Sequence, residues 1–70
     1  NNTFLKSDLY NILTILDLNY RIPLLLSEIG GFSYKEIGQI LNINIGTVKS
    51  RINRAINKLR KEIKGEKNKM

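Results

Sequence analysis

Seventy residues carrying a formal net charge of +6, 41% hydrophobic and 26% charged, make one small globular domain and exclude a wholly disordered chain. Cysteine and histidine are both absent, which excludes disulfides and thiolate or imidazole metal sites and makes a reducing, cytoplasmic compartment the expectation. No apolar run approaches the ~20 residues of a membrane-spanning helix, so the positive charge points to a polyanion, either nucleic acid or an acidic membrane surface.

The chain begins at Asn1 rather than Met, which suggests a piece of a longer protein, and residues 1–6 show no period and read as a flank or linker. From Ser7 the pattern is helical. Ser7 can cap, Asp8 suits the positive end of the dipole, and Leu9, Ile12, Leu13 and Leu16 recur at helical spacing, predicting a first helix from Ser7 to Leu18. Asn19 is a cap or turn residue, and Ile22, Leu24, Leu25 and Ile29 supply a second apolar helix. Pro23 is tolerated only in a first turn, so that helix is predicted to start near Tyr20 to Ile22. Gly30-Gly31 ends it.

Ser33-Tyr34-Lys35-Glu36 fits a capping box at the start of a third helix, from which Ile37, Ile40 and Leu41 face inward. Gly38 is a poor helix former and implies a partner helix crossing steeply at close range, which a side chain there would push away. Asn42 suits the left-handed backbone of a turn, and Asn44 can cap a fourth helix running towards Lys61. The residues beyond are charged and read as a fraying, solvated tail. The expectation is therefore an all-α domain of four helices over residues 7–63, with a basic tail at 64–70.

The fourth helix divides into two faces when drawn at 100° per residue. Ile45, Val48, Ile52, Ala55, Ile56, Leu59 and Ile63 fall within roughly 100° and predict a core-facing stripe. Gly46, Lys49, Ser50, Asn53, Arg54 and Asn57 fall on a second arc centred about 140° away. That arc has no carboxylate, and its side chains donate to phosphates and base edges. Catalysis is not expected: histidine, cysteine, paired carboxylates on one face and a Gly-rich phosphate loop are all lacking, and no cofactor or metal is implied.

The string Gly46-Thr47-Val48-Lys49-Ser50-Arg51, followed by Arg54-Ala55 and Leu59, resembles the C-terminal region 4 of bacterial RNA polymerase sigma factors in its extracytoplasmic-function form. Arg21, Gly31, Ser33-Tyr34-Lys35-Glu36-Ile37 and Ile43 extend the likeness, which covers about residues 9–61. Gly38 and Asn42 stand where members usually carry Ala and Gly. Pro23 is unusual in the second helix, and Ile56 and Asn57 replace residues that are often basic.

The resemblance implies a C-terminal helix-turn-helix within the winged-helix-like superfamily, without a wing. It also implies reading of the promoter −35 element as a monomer, and docking of another face on the β-subunit flap of RNA polymerase core. An anti-sigma factor is a further partner of the kind such proteins have. Carried onto matching positions, Lys49, Ser50, Asn53 and Arg54 would approach base edges. Arg51, Thr47 and Lys58 lie at the edge of the polar arc and read as phosphate contacts, as do Ser33, Tyr34 and Lys35 at the head of the third helix, where free amides and the dipole attract an anion.

Duller readings stand beside these. Lys49 and Arg54 are also ordinary solvated helix charges, Asn53 a neutral surface residue, and Arg51 a partner for Glu36 or Glu62. At the level of function, a response-regulator helix-turn-helix output domain acting as a dimer also carries a Thr-Val-Lys string. Such domains continue with a His, where this chain has Ser50-Arg51. A basic amphipathic module for a membrane surface or a protein partner is the third class.

Overall fold

The computed structural model describes residues 10–11 and 13–68, with side chains described as far as Ile63. Among these residues there are three helices, α1 (Leu18–Glu28), α2 (Tyr34–Leu41) and α3 (Ile45–Asn68), and no strand. The expected count of four is therefore not met among the described residues, which hold three. Of the first predicted helix, Ser7, Asp8, Leu9 and Ile12 lie outside the described residues. Tyr10, Asn11 and Leu13 have helical backbone, but the chain turns at Thr14–Leu16 instead of continuing to Leu18. The Thr14 hydroxyl donates to the Asn11 carbonyl at 2.7 Å, a local bond of the kind that competes with a helical ladder. The turn drops Leu16 into the core.

Asp17, with extended backbone (ψ 154°), is the N-cap of α1, and its carbonyl accepts from the amides of Tyr20 and Arg21 at 2.9 and 2.8 Å. The Arg21 guanidinium folds back to the Leu16 carbonyl at 2.8 Å and ties the turn to the helix. This helix thus starts earlier than the expected Tyr20 to Ile22, and Asn19 is inside it rather than capping it. Pro23 is consequently a mid-helix proline. Such a position costs about 3 kcal/mol through the missing amide, and burial of the pyrrolidine ring offsets part of it. The Asn19 carbonyl that loses its helical donor belongs to an exposed residue, where water can serve.

α1 ends as the glycines predict. Gly31 has φ +73°, and the chain reverses with the Phe32 amide bonded to the Leu26 carbonyl at 3.0 Å. The capping box at the start of α2 is complete: the Ser33 hydroxyl accepts from the Glu36 amide at 3.1 Å, and the Glu36 carboxylate accepts from the Ser33 amide at 2.8 Å. Asn42 closes α2 in the left-handed conformation (φ 58°, ψ 47°), and the Ile43 amide turns back to the Gly38 carbonyl at 2.9 Å. What excludes a side chain at Gly38 is this turn rather than the expected crossing helix. A Cβ there would meet the Ile43 carbonyl oxygen at 2.8 Å, with Val48 of α3 just beyond.

The core is Leu16, Leu24, Ile37, Val48, Ile52 and Ala55, with Leu26, Leu41, Ile43 and Leu59 among the partly buried side chains packed round it. α1 packs chiefly on α3, and α2 closes the angle between them. The buried stripe is narrower than expected. Ile45 and Ile63 of α3 are 49% and 44% exposed, and Ile22, Ile29 and Ile40 also face outward. With three helices round one small core, among the described residues there is no further element to cover them. α3 also runs further than Lys61, to Asn68 through Gly65, so the tail continues the helix. Lys and Glu are good helix formers, and lysines suit the negative end of the dipole.

The left-handed residue sets a measurable preference. Asn42→Ala is expected to lower unfolding free energy by about 1–2 kcal/mol, whereas Asn42→Gly should stay within about 0.5 kcal/mol of wild type. Urea denaturation followed by circular dichroism measures both.

Candidate nucleic-acid interface

Asn44 builds the start of the candidate surface. Its side-chain oxygen accepts from the Thr47 amide at 2.9 Å and from the Thr47 hydroxyl at 3.1 Å, so it caps α3 as its position suggests. Its carbonyl takes the amides of Thr47 and Val48. The helix is thereby anchored at a fixed distance from α2, with only Asn42, Ile43 and Asn44 between them.

Val48, Ile52 and Ala55 are buried at 0–1% exposure, and this fixes which way the remaining positions point. Gly46, Lys49, Ser50, Asn53, Arg54 and Asn57 are all exposed, as the helical spacing requires. Of the residues matched to phosphate contacts, Ser33, Lys35 and Lys58 are exposed, while Tyr34, Thr47 and Arg51 are half-buried. The proton of the Thr47 hydroxyl is spent on Asn44, so it reaches another acceptor only by exchanging that bond. The Ser33 hydroxyl oxygen accepts in the capping box, which leaves its proton free to donate outward.

Two of the shallow depressions along the exposed side of α3 gather most of these residues. The first is lined by Tyr20, Asn44, Gly46, Thr47, Ser50, Arg51 and Arg54, so four of the sequence-predicted residues meet there. The second, lined by Leu16, Asp17, Tyr20, Arg54 and Lys58, adds one more. Lys49 and Asn53 stand on the same exposed helix but outside both, and Ser33, Tyr34 and Lys35 at the head of α2 line neither. Tyr20 and Asp17 were not legible as site residues. They arrive from α1 through its packing on α3, and nothing in their spacing announces that. Among the described residues no group of three or more acidic, histidine or cysteine side chains converges, and no helix is long and apolar enough to cross a membrane.

A short capped helix, a three-residue turn and a long helix with a cationic outward face define a helix-turn-helix domain. The family model described as Sigma-70, region 4 matches residues 6–59, and the chain belongs to that family. It is 43% identical over 56 residues to the ECF RNA polymerase sigma factor SigE of Mycolicibacterium smegmatis, covering 80% of this chain and 22% of that protein. It is 49% identical over 45 residues to the ECF RNA polymerase sigma factor SigW of Bacillus subtilis, covering 64% of this chain and 24% of that one. The chain therefore spans under a quarter of the length of either relative.

Removal of the cap should be visible without any ligand. Asn44→Ala is expected to cost about 0.5–2 kcal/mol of stability and to release the Thr47 amide, read as faster hydrogen exchange at residue 47 than in wild type.

Proposed function

We propose that this domain reads the promoter −35 element for RNA polymerase, laying the first turns of α3 in the major groove. The observation that carries the reading is the exposure of Lys49, Ser50, Asn53 and Arg54 directly across the helix from buried Val48, Ile52 and Ala55. The major groove admits a helix and offers acceptors that such side chains match. Arg54 is assigned a bidentate contact to guanine, since its planar fork fits the O6 and N7 acceptors. Lys49, Ser50 and Asn53 are the other base contacts. Arg51, Thr47 and Lys58 flank them as phosphate contacts, and Ser33, Tyr34 and Lys35 brace the backbone from the head of α2.

One module of this size buries only about 600–1,000 Å² on DNA, which gives weak binding by itself. Tethering through the polymerase core and a second promoter-binding domain would raise the effective concentration. Leu18, Ile22 and Ile29 recur at helical spacing on the side of α1 turned away from α3, and they are the surface assigned to the polymerase β-subunit flap. The domain acts as a monomer in this reading, and an anti-sigma factor would compete for the same apolar stripe.

Fluorescence anisotropy on duplexes tests the assignments. Arg54→Ala is expected to cost about 1–3 kcal/mol and to relax preference at one base pair. Arg51→Ala should weaken all sequences alike and reduce the slope of log K against log salt by about one. Equal loss on every duplex for the Arg54 variant would remove Arg54 from base reading.

A further inference from the structure

Tyr20 belongs to α1, outside the helix-turn-helix pair, yet it lines two of the three depressions that Arg54 lines; Asn57, Lys58, Lys61 and Glu62 share the third with Arg54. In the first it shares the wall with Ser50, Arg51 and Arg54, and in the second with Asp17, Arg54 and Lys58. Its side chain is half-buried and packed against the core cluster. The core therefore fixes the ring while part of it still borders the open face. Arg54 is exposed, and it takes no part in the side-chain hydrogen bonds found among the described residues.

A long side chain held by nothing must surrender its rotamer freedom when it docks on a base. An aromatic face alongside changes that. The ring quadrupole attracts a guanidinium, and stacking leaves all five N–H donors available in the guanidinium plane. We propose that Tyr20 is a positioning residue for Arg54: its core-anchored ring is the wall along which Arg54 extends towards the DNA. Sequence discrimination then depends on a helix that touches no base. The ring carries this role, and the phenolic hydroxyl is dispensable. The inference rests on the base-reading role given to Arg54 above.

The test uses the full chain and a duplex carrying the sequence that the wild-type chain selects from a randomised pool. A second duplex differs from it only at the base pair whose preference Arg54→Ala relaxes. The readout is the ratio of the two affinities, which a purely structural defect would leave unchanged. Tyr20→Leu keeps an apolar side chain against the core and is expected to lower the ratio about two- to fivefold. Tyr20→Phe should retain the wild-type ratio, and Tyr20→Leu combined with Arg54→Ala should discriminate no less than Arg54→Ala alone.

An unchanged ratio in Tyr20→Leu, with or without an equal loss on both duplexes, overturns the proposal. Should Tyr20→Leu lose its helical circular dichroism, the wild-type chain decides. Nuclear Overhauser contacts between the Tyr20 ring and the Arg54 δ-methylene are expected in the free protein, and their absence overturns the wall. If Arg54→Ala relaxes no base preference, the base-reading assignment fails instead, and the same contacts still judge the placement of Arg54 against Tyr20.

Discussion

Burial of Val48, Ile52 and Ala55 against Leu24 and Ile37 is the constraint that governs the whole arrangement, because it fixes the rotation of α3 about its own axis. Fully burying side chains the size of Val48 and Ile52 contributes about 1.5–3 kcal/mol each, and the Ala55 methyl about 0.8 kcal/mol, set against a total stability of about 5–15 kcal/mol for a typical domain. A turn of α3 by one residue, about 100°, would put Lys49 and Asn53 against the core and lift Val48 and Ile52 into water. Fold stability and the orientation of the cationic face are thus the same interaction seen from two sides of one helix.

The parts of this arrangement that were legible in the sequence are those set by local chemistry. The capping box at Ser33 and Glu36, the left-handed Asn42, the cap at Asn44 and the turn at Gly31 each depend on a few adjacent residues, and each is in place. The division of α3 into a buried and an exposed face was equally plain, because 3.6-residue periodicity is a property of the chain itself. It overreached only at Ile45 and Ile63, where an apolar side chain meets no neighbour to cover it.

What could not be read depends on contacts distant in sequence. Pro23 argued for a later helix start, and the argument failed because Asp17 and Arg21 together hold the earlier turn and the core accepts the proline ring. The leucines and isoleucines before residue 17 have helical spacing, but the backbone turns at Thr14–Leu16 and Leu16 is buried from a bend. Tyr20 is the clearest case. Its neighbours in sequence place it on a helix, but only the packing of α1 across α3 brings it beside Arg54 and Ser50.

The link between α2 and α3 leaves no residue idle: Asn42 reverses the chain, Ile43 packs on the core and bonds back to Gly38, and Asn44 caps α3. One residue more or fewer in this stretch would shift the phase of α3 by about 100° and separate the apolar stripe from its pocket. The connector between Glu28 and Tyr34 and the stretch where α3 outruns the core carry no such phase requirement, so a change of length is expected to cost less there.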